Sequence, residues 1–391
     1  MHKILHAAFV AILLTCAISS AAGAAASQRD DLRAVVDRTI LPVMKHYGIP
    51  GMAVGLAVRG RHEVFNYGVA STATRTPVDR HTLFEIGSIS KTFTASLVSY
   101  AQRTGRLSLT DRVSSDFPIL RGTSFDRVRL IDLATHTAGG LPLQFPDTIA
   151  TDDDAVTYYK RWKPSHASGT YRLYSNPSIM LLGLLTAQKM GADFPTLMRR
   201  AIFAPVGLNN TFLTVPEDQM KRYAQGYTSA DVPRRMSSGP LFAEAYGIRT
   251  TADDLLRFTD ANMGLLKLDA ALKRAILETH VGYDRVGSMT QDLIWEQYRY
   301  PLALETWLRG NSEHMIFDEN RMTSIRPPSA PRNDVVIDKT GSTNGFGAYV
   351  TFVPKQKIGI VLLANKSYPI DARVTAAYRI LTTLIAKTAA V

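Results

Sequence analysis

Ser88 and Lys91 stand three residues apart in Phe84-Glu85-Ile86-Gly87-Ser88-Ile89-Ser90-Lys91-Thr92-Phe93, a spacing that puts both on one face of a helix. A hydroxyl at a helix start sits among free backbone N–H groups, where a developing anion is stabilised. A lysine desolvated beside it loses basicity and can take its proton. The pair reads as an activated nucleophile; the plain alternative is a serine cap followed by a solvated lysine. Two more short motifs carry groups of the right kind. Tyr174-Ser175-Asn176 precedes Pro177, and Lys339-Thr340-Gly341 ends the run Val335-Val336-Ile337-Asp338. Each also has a plain reading. Asn176 before a proline is an ordinary cap, Tyr174 is a half-buried aromatic, and a strand-edge lysine guards against aggregation.

The elements that must position these groups follow from periodicity. Ile89, Phe93, Leu97 and Val98 keep helical spacing from Ser88 until Gly105. Leu32, Val35, Val36, Ile40 and Met44 predict an N-terminal helix, interrupted near Pro42 and ended by Pro50-Gly51. Met52 to Val58 and Glu63 to Val69 read as a hairpin turning at Arg59-Gly60-Arg61. Helical periodicity then dominates: Leu130 to Thr135, Ala155 to Trp162, Ile179 to Lys189, Thr196 to Phe203 and Asp253 to Met263, with Gly and Pro between. Strands return at Val335 to Lys339, Gly347 to Val353 and Ile358 to Leu363, and Ile370 to Ala386 closes the chain as an amphipathic helix. The expected fold is α/β: an antiparallel β-sheet flanked by helices and built from both chain ends, with an inserted, mainly helical lobe. A cleft between the two parts is the natural ligand site. The expected division is residues 27–86 with 240–391 for the sheet domain and 87–239 for the helical lobe.

Composition narrows the function further. The 391 residues are 46% hydrophobic, enough for a substantial core without cross-links. Lys3, the apolar run Ile4 to Ile18, and the small residues Ala22 to Ala26 read as a secretory signal peptide, residues 1–26, cleaved after Ala24 or Ala26. The run is short for a transmembrane anchor, and no second long apolar segment follows. Cys16, the only cysteine, falls inside it, and Leu13-Leu14-Thr15-Cys16 fits a lipidation signal poorly. The mature chain therefore offers no disulfide and no thiolate metal site. The net charge of +11 is spread out rather than massed, with no basic-aromatic stripe for nucleic acid; such a field suits small anionic substrates. Nine histidines form neither His-x-His-x-Asp nor His-Glu-x-x-His, which disfavours metal-dependent hydrolysis. No metal and no other cofactor is expected.

Taken in order, Ser-x-x-Lys, Tyr-x-Asn and Lys-Thr-Gly resemble the penicillin-recognising serine enzymes, and the tyrosine in the middle motif resembles class C β-lactamases. The flanks share the resemblance over essentially the whole mature chain: Phe84 to Thr94, Thr137-Ala138-Gly139-Gly140-Leu141-Pro142-Leu143-Gln144, Ala243-Glu244-Ala245-Tyr246-Gly247, Lys339 through Gly347, and Leu363-Ala364-Asn365-Lys366. The resemblance implies a monomeric periplasmic enzyme acting on small-molecule β-lactams. Ser88 would carry the acyl group, and Lys91 and Tyr174 would share the proton traffic as a coupled pair. A free tyrosine, with a pKa near 10, is a poor base at neutral pH unless cations such as Lys91 and Lys339 favour its anion. The backbone N–H groups of Ser88 and Ser342 would form the oxyanion hole. Lys339, Thr340, Gly341 and Ser342 would line the substrate carboxylate, with Arg373 as a second cation. Gln144 and Asn176 would meet the acylamino arm, and Tyr246 would wall the approach of water.

Three positions depart from the family pattern: Ile370 stands where relatives often have asparagine, Asn344 where glycine is common, and Phe242 where an acid is common. A class A enzyme should show Ser-Asp-Asn and a glutamate-bearing loop, which are missing. The main alternative is a D-alanyl-D-alanine peptidase using the same acylation. A related esterase usually replaces Lys-Thr-Gly, and a binding protein that reused the cleft would need no nucleophile.

Overall fold

The computed structural model describes residues 29–389; the expected signal peptide and Cys16 lie outside the described residues. Its centre is a nine-stranded sheet in which every neighbouring pair runs antiparallel. From one edge the order is Thr323–Ser329, Gly282–Val286, Met289–Gln291, Glu296–Arg299, Val335–Ser342, Gly347–Val353, Ile358–Ala364, Gly51–Val58 and Arg61–Gly68. Both chain ends build it, because the first strand pairs with the last in the register Met52↔Ala364 through Val58↔Ile358. The first hairpin turns at Arg59 and Gly60, both at positive φ, the geometry that matches strand twist in a two-residue turn.

The central strands are buried on both faces, so alternate residues join different cores. Val54, Leu56, Ile360 and Leu362 face a core closed by the first and last helices through Val35, Val36, Ile40, Val374, Ala377, Ile380 and Leu381. Ala53, Ala57, Val361 and Leu363 face the other core, closed by Leu255, Leu256 and Phe258 of the helix Ala252–Asn262. A third core, including Val98, Leu130, Leu133, Tyr159, Ile179 and Leu182, belongs to the helical part. Its central element, Ser90–Arg103, is buried over nearly its whole length.

The N-terminal helix corrects one expectation. It runs unbroken over 29–47, straight through Pro42. Proline removes one helical hydrogen bond, but Pro42 lies on the exposed face, where water can serve the freed carbonyl. Val35, Val36 and Ile40 on the other face hold the helix to the sheet. Among the described residues no helix is long and apolar enough to cross a membrane.

Asn365, fully buried, ties the sheet to the loops around it. Its Oδ1 accepts the Gly51 N–H at 2.7 Å, and its Nδ2 donates to Val69 O at 3.0 Å, Ala70 O at 3.2 Å and Gln225 O at 3.1 Å. A net bond contributes roughly 1 kcal/mol, and a buried orphan costs more. Asn365→Ala is therefore expected to lose about 3–4 kcal/mol, read as a lower urea midpoint with an unchanged m value. A loss below about 1 kcal/mol would show that the junction is held elsewhere.

Candidate active site

Two segments with no side chains between them create the site. The turn Gly87–Ile89 precedes the helix Ser90–Arg103, and it abuts the end of the strand Val335–Ser342. On one side that strand pairs as far as Ser342↔Gly347. On the other, its partner Glu296–Arg299 pairs only up to Asp338↔Glu296. From Lys339 onward the strand continues without that partner, and its backbone meets the turn instead. A Cβ at Gly341 would lie 1.9 Å from Ile86 O, and one at Gly87 would lie 2.6 Å from Ser342 N. Gly87 also has φ +49, a conformation that glycine adopts without steric cost. Both glycines are thus demanded by the contact that brings Ser88 and Ser342 together.

Ser88 is half-buried and caps nothing: neither helical segment here has a side-chain cap. Its Oγ instead accepts a 2.8 Å hydrogen bond from Lys91 Nζ, which also donates to Ala245 O at 3.1 Å. Burial brings the Lys91 pKa down to about 8, with the like charge of Lys339 acting in the same direction and Tyr174 opposing. Tyr174 lies between the two lysines, whose Nζ atoms are 5.2 Å (Lys91) and 5.0 Å (Lys339) from its ring centroid. Burial pushes its phenol up, but Lys339, Lys91 and the nearby Ser88 hydroxyl outweigh that and leave it below the ordinary tyrosine value. The Tyr174 hydroxyl is buried without a well-formed hydrogen bond. These groups can exchange a proton, and none of them is committed to a structural partner that would prevent it.

A buried network holds the second lysine. Lys339 Nζ lies 3.8 Å from Glu296 Oε1, which accepts from Arg172 at 2.9 Å. Arg172 also donates to Gln291 Oε1 and to Met315 O, both at 2.6 Å. Burial works against the Lys339 charge, but Glu296 and Tyr174 outweigh it, so the ammonium is held above its ordinary value. Asp338 accepts from Trp307, Asn311 and Tyr349; burial, helped by Glu296, pushes it up to about 7. Arg172, Glu296 and Asp338 escape sequence reading because no short motif contains them. His136 escapes it as well, although it lies one residue before the Thr137 to Gln144 segment.

The other expected residues fall around this centre. The helix Asn176–Met190 is capped by Ser175, whose hydroxyl accepts from Ser178 N at 3.1 Å. Asn176 is therefore not the cap, and its buried Oδ1 has no partner. The Asn176 N–H donates to Leu143 O at 3.0 Å, which sets the exposed Gln144 beside it. Tyr246 follows the Ala245 carbonyl that holds Lys91 and packs obliquely on Phe242. Thr340 and Gly341 are buried in the strand, whereas Ser342 is exposed at its end. Arg373 is fully buried beneath that end rather than solvated, donating to Gly341 O and Ser342 Oγ, both at 2.8 Å. With further donation to Ala348 O and Tyr368 O, it braces the strand end from below. Asn344 is exposed and Ile370 half-buried.

Two cavities of about 240 and 330 Å³ lie elsewhere, sharing Gln102, Leu109 and Tyr283 in their walls, and neither is lined by Ser88, Lys91, Tyr174 or Lys339. Side-chain chemistry, not cavity size, marks the site. Among the described residues no cluster of three His, Cys, Asp or Glu is placed to share a metal ion.

The β-lactamase family model matches residues 36–385. A β-lactamase of Pseudomonas fluorescens is 48% identical over 354 residues, 90% of this chain and 99% of that one. One from Lysobacter lactamgenus is 48% identical over 351 residues, 90% and 91% of the two chains. Among solved structures, a class C β-lactamase in complex with cefoxitin superposes with a TM-score of 0.89 at 46% identity, covering 91% of this chain and 99% of that one. A D-alanine carboxypeptidase from Burkholderia cenocepacia superposes with a TM-score of 0.87 at 51% identity, covering 90% and 99%. Together with the Ser88, Lys91, Tyr174 and Lys339 cluster, these likenesses establish that the chain belongs to the β-lactamase family, on its class C branch.

Proposed function

We propose that this protein is a periplasmic serine hydrolase that opens the β-lactam ring of cephalosporins and penicillins through an acyl-enzyme on Ser88. The observation that carries the reading is the 2.8 Å bond from a deeply buried Lys91 to Ser88 Oγ, with Tyr174 set between Lys91 and Lys339. Ser88 Oγ attacks the lactam carbonyl as its proton passes to the Lys91–Tyr174 pair, which titrates as a unit. The N–H groups of Ser88 and Ser342 receive the oxyanion, each such donor stabilising it by about 3–4 kcal/mol. The tetrahedral intermediate collapses as the C–N bond breaks, and the pair returns the proton to the departing nitrogen. Water then attacks the ester, passes a proton to the same pair, and releases the ring-opened acid while Ser88 recovers its hydrogen.

Lys339 and Thr340 meet the substrate carboxylate, with Arg373 adding positive potential from below. Asn176, through its unpartnered amide oxygen, and Gln144 receive the acylamino arm, and Tyr246 walls the water's approach. Gly341 keeps the strand end close to Ser88. The buried Oδ1 of Asn176 supports this reading, since a buried acceptor without a partner costs stability unless a ligand supplies a donor. The enzyme acts as a monomer after removal of residues 1–26, with a helical lobe at 87–239 and a sheet domain at 27–86 and 240–391.

A second reading is favoured by the names of two neighbours: the 51% identical Burkholderia protein is called a D-alanine carboxypeptidase, and a 45% identical Pseudomonas syringae protein a β-lactamase/D-alanine carboxypeptidase. The two readings share acylation and differ in deacylation. Sustained turnover of a chromogenic cephalosporin by the mature protein is the expected result. A burst of one equivalent followed by a stall would assign it to the peptidase reading.

A further inference from the structure

His136 is a buried group beside Tyr174 that the mechanism above does not use. It touches the Tyr174 segment in three ways. Its carbonyl accepts the Leu173 N–H at 3.0 Å, its Nδ1 accepts the Ser175 N–H at 3.2 Å, and its ring lies 4.5 Å from the Tyr174 ring, centroid to centroid. The residues immediately before and after Tyr174 are thus both hydrogen-bonded to one residue. His136 reaches both by adopting φ +61, a left-handed conformation that a non-glycine residue adopts at a cost. A backbone amide can only donate, so Nδ1 must carry a lone pair and the ring is neutral with its proton on Nε2. Burial, reinforced by Arg172, Lys91 and Lys339, keeps it so by pulling its pKa well below the usual histidine value. Nε2 is buried without a partner, so the ring is not held by a bond at that nitrogen.

We propose that His136 is a positioning residue for Tyr174, clamping the Leu173–Ser175 segment through its left-handed carbonyl and its Nδ1 acceptor so that the phenol stays between Lys91 and Lys339. The inference rests on the proposed part of Tyr174 in proton transfer. Other charged groups face Tyr174 from every side: Lys91 from its helix, Lys339 and Glu296 from the sheet, and Arg172 from its own strand. A small shift of the ring changes its distance to all of them, and misplacing a reacting group by about 1 Å can cost roughly 100-fold.

The test uses four variants. His136→Asn puts an acceptor oxygen where Nδ1 stands and tolerates left-handed backbone; His136→Gln carries its acceptor one bond farther out; His136→Phe keeps the ring alone; His136→Ala keeps neither. The expected result is kcat/KM for a cephalosporin within about threefold of wild type in His136→Asn and lower by about 10- to 100-fold in the other three. The midpoint of the pH profile moves by more than half a unit in those three and stays in place in His136→Asn. Loss of folded protein alone lowers the amplitude of that profile without moving its midpoint. Wild-type behaviour in His136→Phe, or His136→Asn as poor as His136→Gln, overturns the proposal, and that comparison stands even if His136→Ala fails to fold. Wild-type turnover alongside unaffected variants overturns this inference alone; a wild type that does not react overturns the proposed function with it.

Discussion

Ser88→Ala is expected to remain folded and to lose about 10⁴-fold or more in lactam turnover, since removing the nucleophile removes the covalent route and leaves only binding and the oxyanion donors. The effect on stability should stay within about 0.5 kcal/mol, because the serine caps no helix and is only half-buried. Lys91 would keep its bond to Ala245 O, so its charge is not left wholly unpartnered. The decisive readout is intact mass after mixing with a slowly deacylated lactam. Wild type gains the mass of the lactam, and Ser88→Ala gains nothing. An adduct on the variant would place the nucleophile elsewhere.

The sequence made the reacting groups legible because their spacing is local. Ser88 and Lys91 share a helical turn, Tyr174 and Asn176 flank a helix start, and Lys339 to Gly341 lie on one strand. That both chain ends build one sheet was equally readable, since Ile358 to Leu363 is a continuous apolar run that reads as a strand covered on both faces. The strands Gly282–Val286, Met289–Gln291, Glu296–Arg299 and Thr323–Ser329 were not. They carry Asp284, Gln291 and Gln297 at buried positions, where alternation would ask for apolar residues, and Pro327-Pro328 interrupts the last. Proline is tolerated there because that strand is the sheet's edge. Two polar residues of these strands, Gln291 and Glu296, build the floor of the site by receiving Arg172. Sequence periodicity fails here for a physical reason: Gln291 and Glu296 are buried against a charge, Arg172, while Val286, Met289 and Tyr298 of the same strands join the core. Arg373 shows the same limit. Its place on the last helix was readable, but its burial under Gly341 and Ser342 depends on contacts about thirty residues away in the chain.

Lys339→Met should have the second largest effect, and pH separates its two components. The Lys339 ammonium lowers the pKa of both Tyr174 and Lys91. Without it both values rise, so the pair holds its protons to higher pH and a smaller fraction can accept the Ser88 proton at neutrality. The acid limb of kcat/KM should therefore move to higher pH by about one unit, the scale of a charge within about 5 Å. The second component is the lost cation for the substrate carboxylate, which pH does not restore. Together they should lower kcat/KM at neutral pH by about 10² to 10³-fold, and raising the pH should recover only about the first tenfold. A lactam whose carboxylate is esterified should show the pH-dependent loss alone. Glu296 keeps its bond to Arg172 in the variant, so no uncompensated carboxylate is created to confuse the result. If the acid limb stays where it is in wild type, Lys339 acts on the substrate only, and the proton traffic of Ser88 runs through Lys91 and Tyr174 without it.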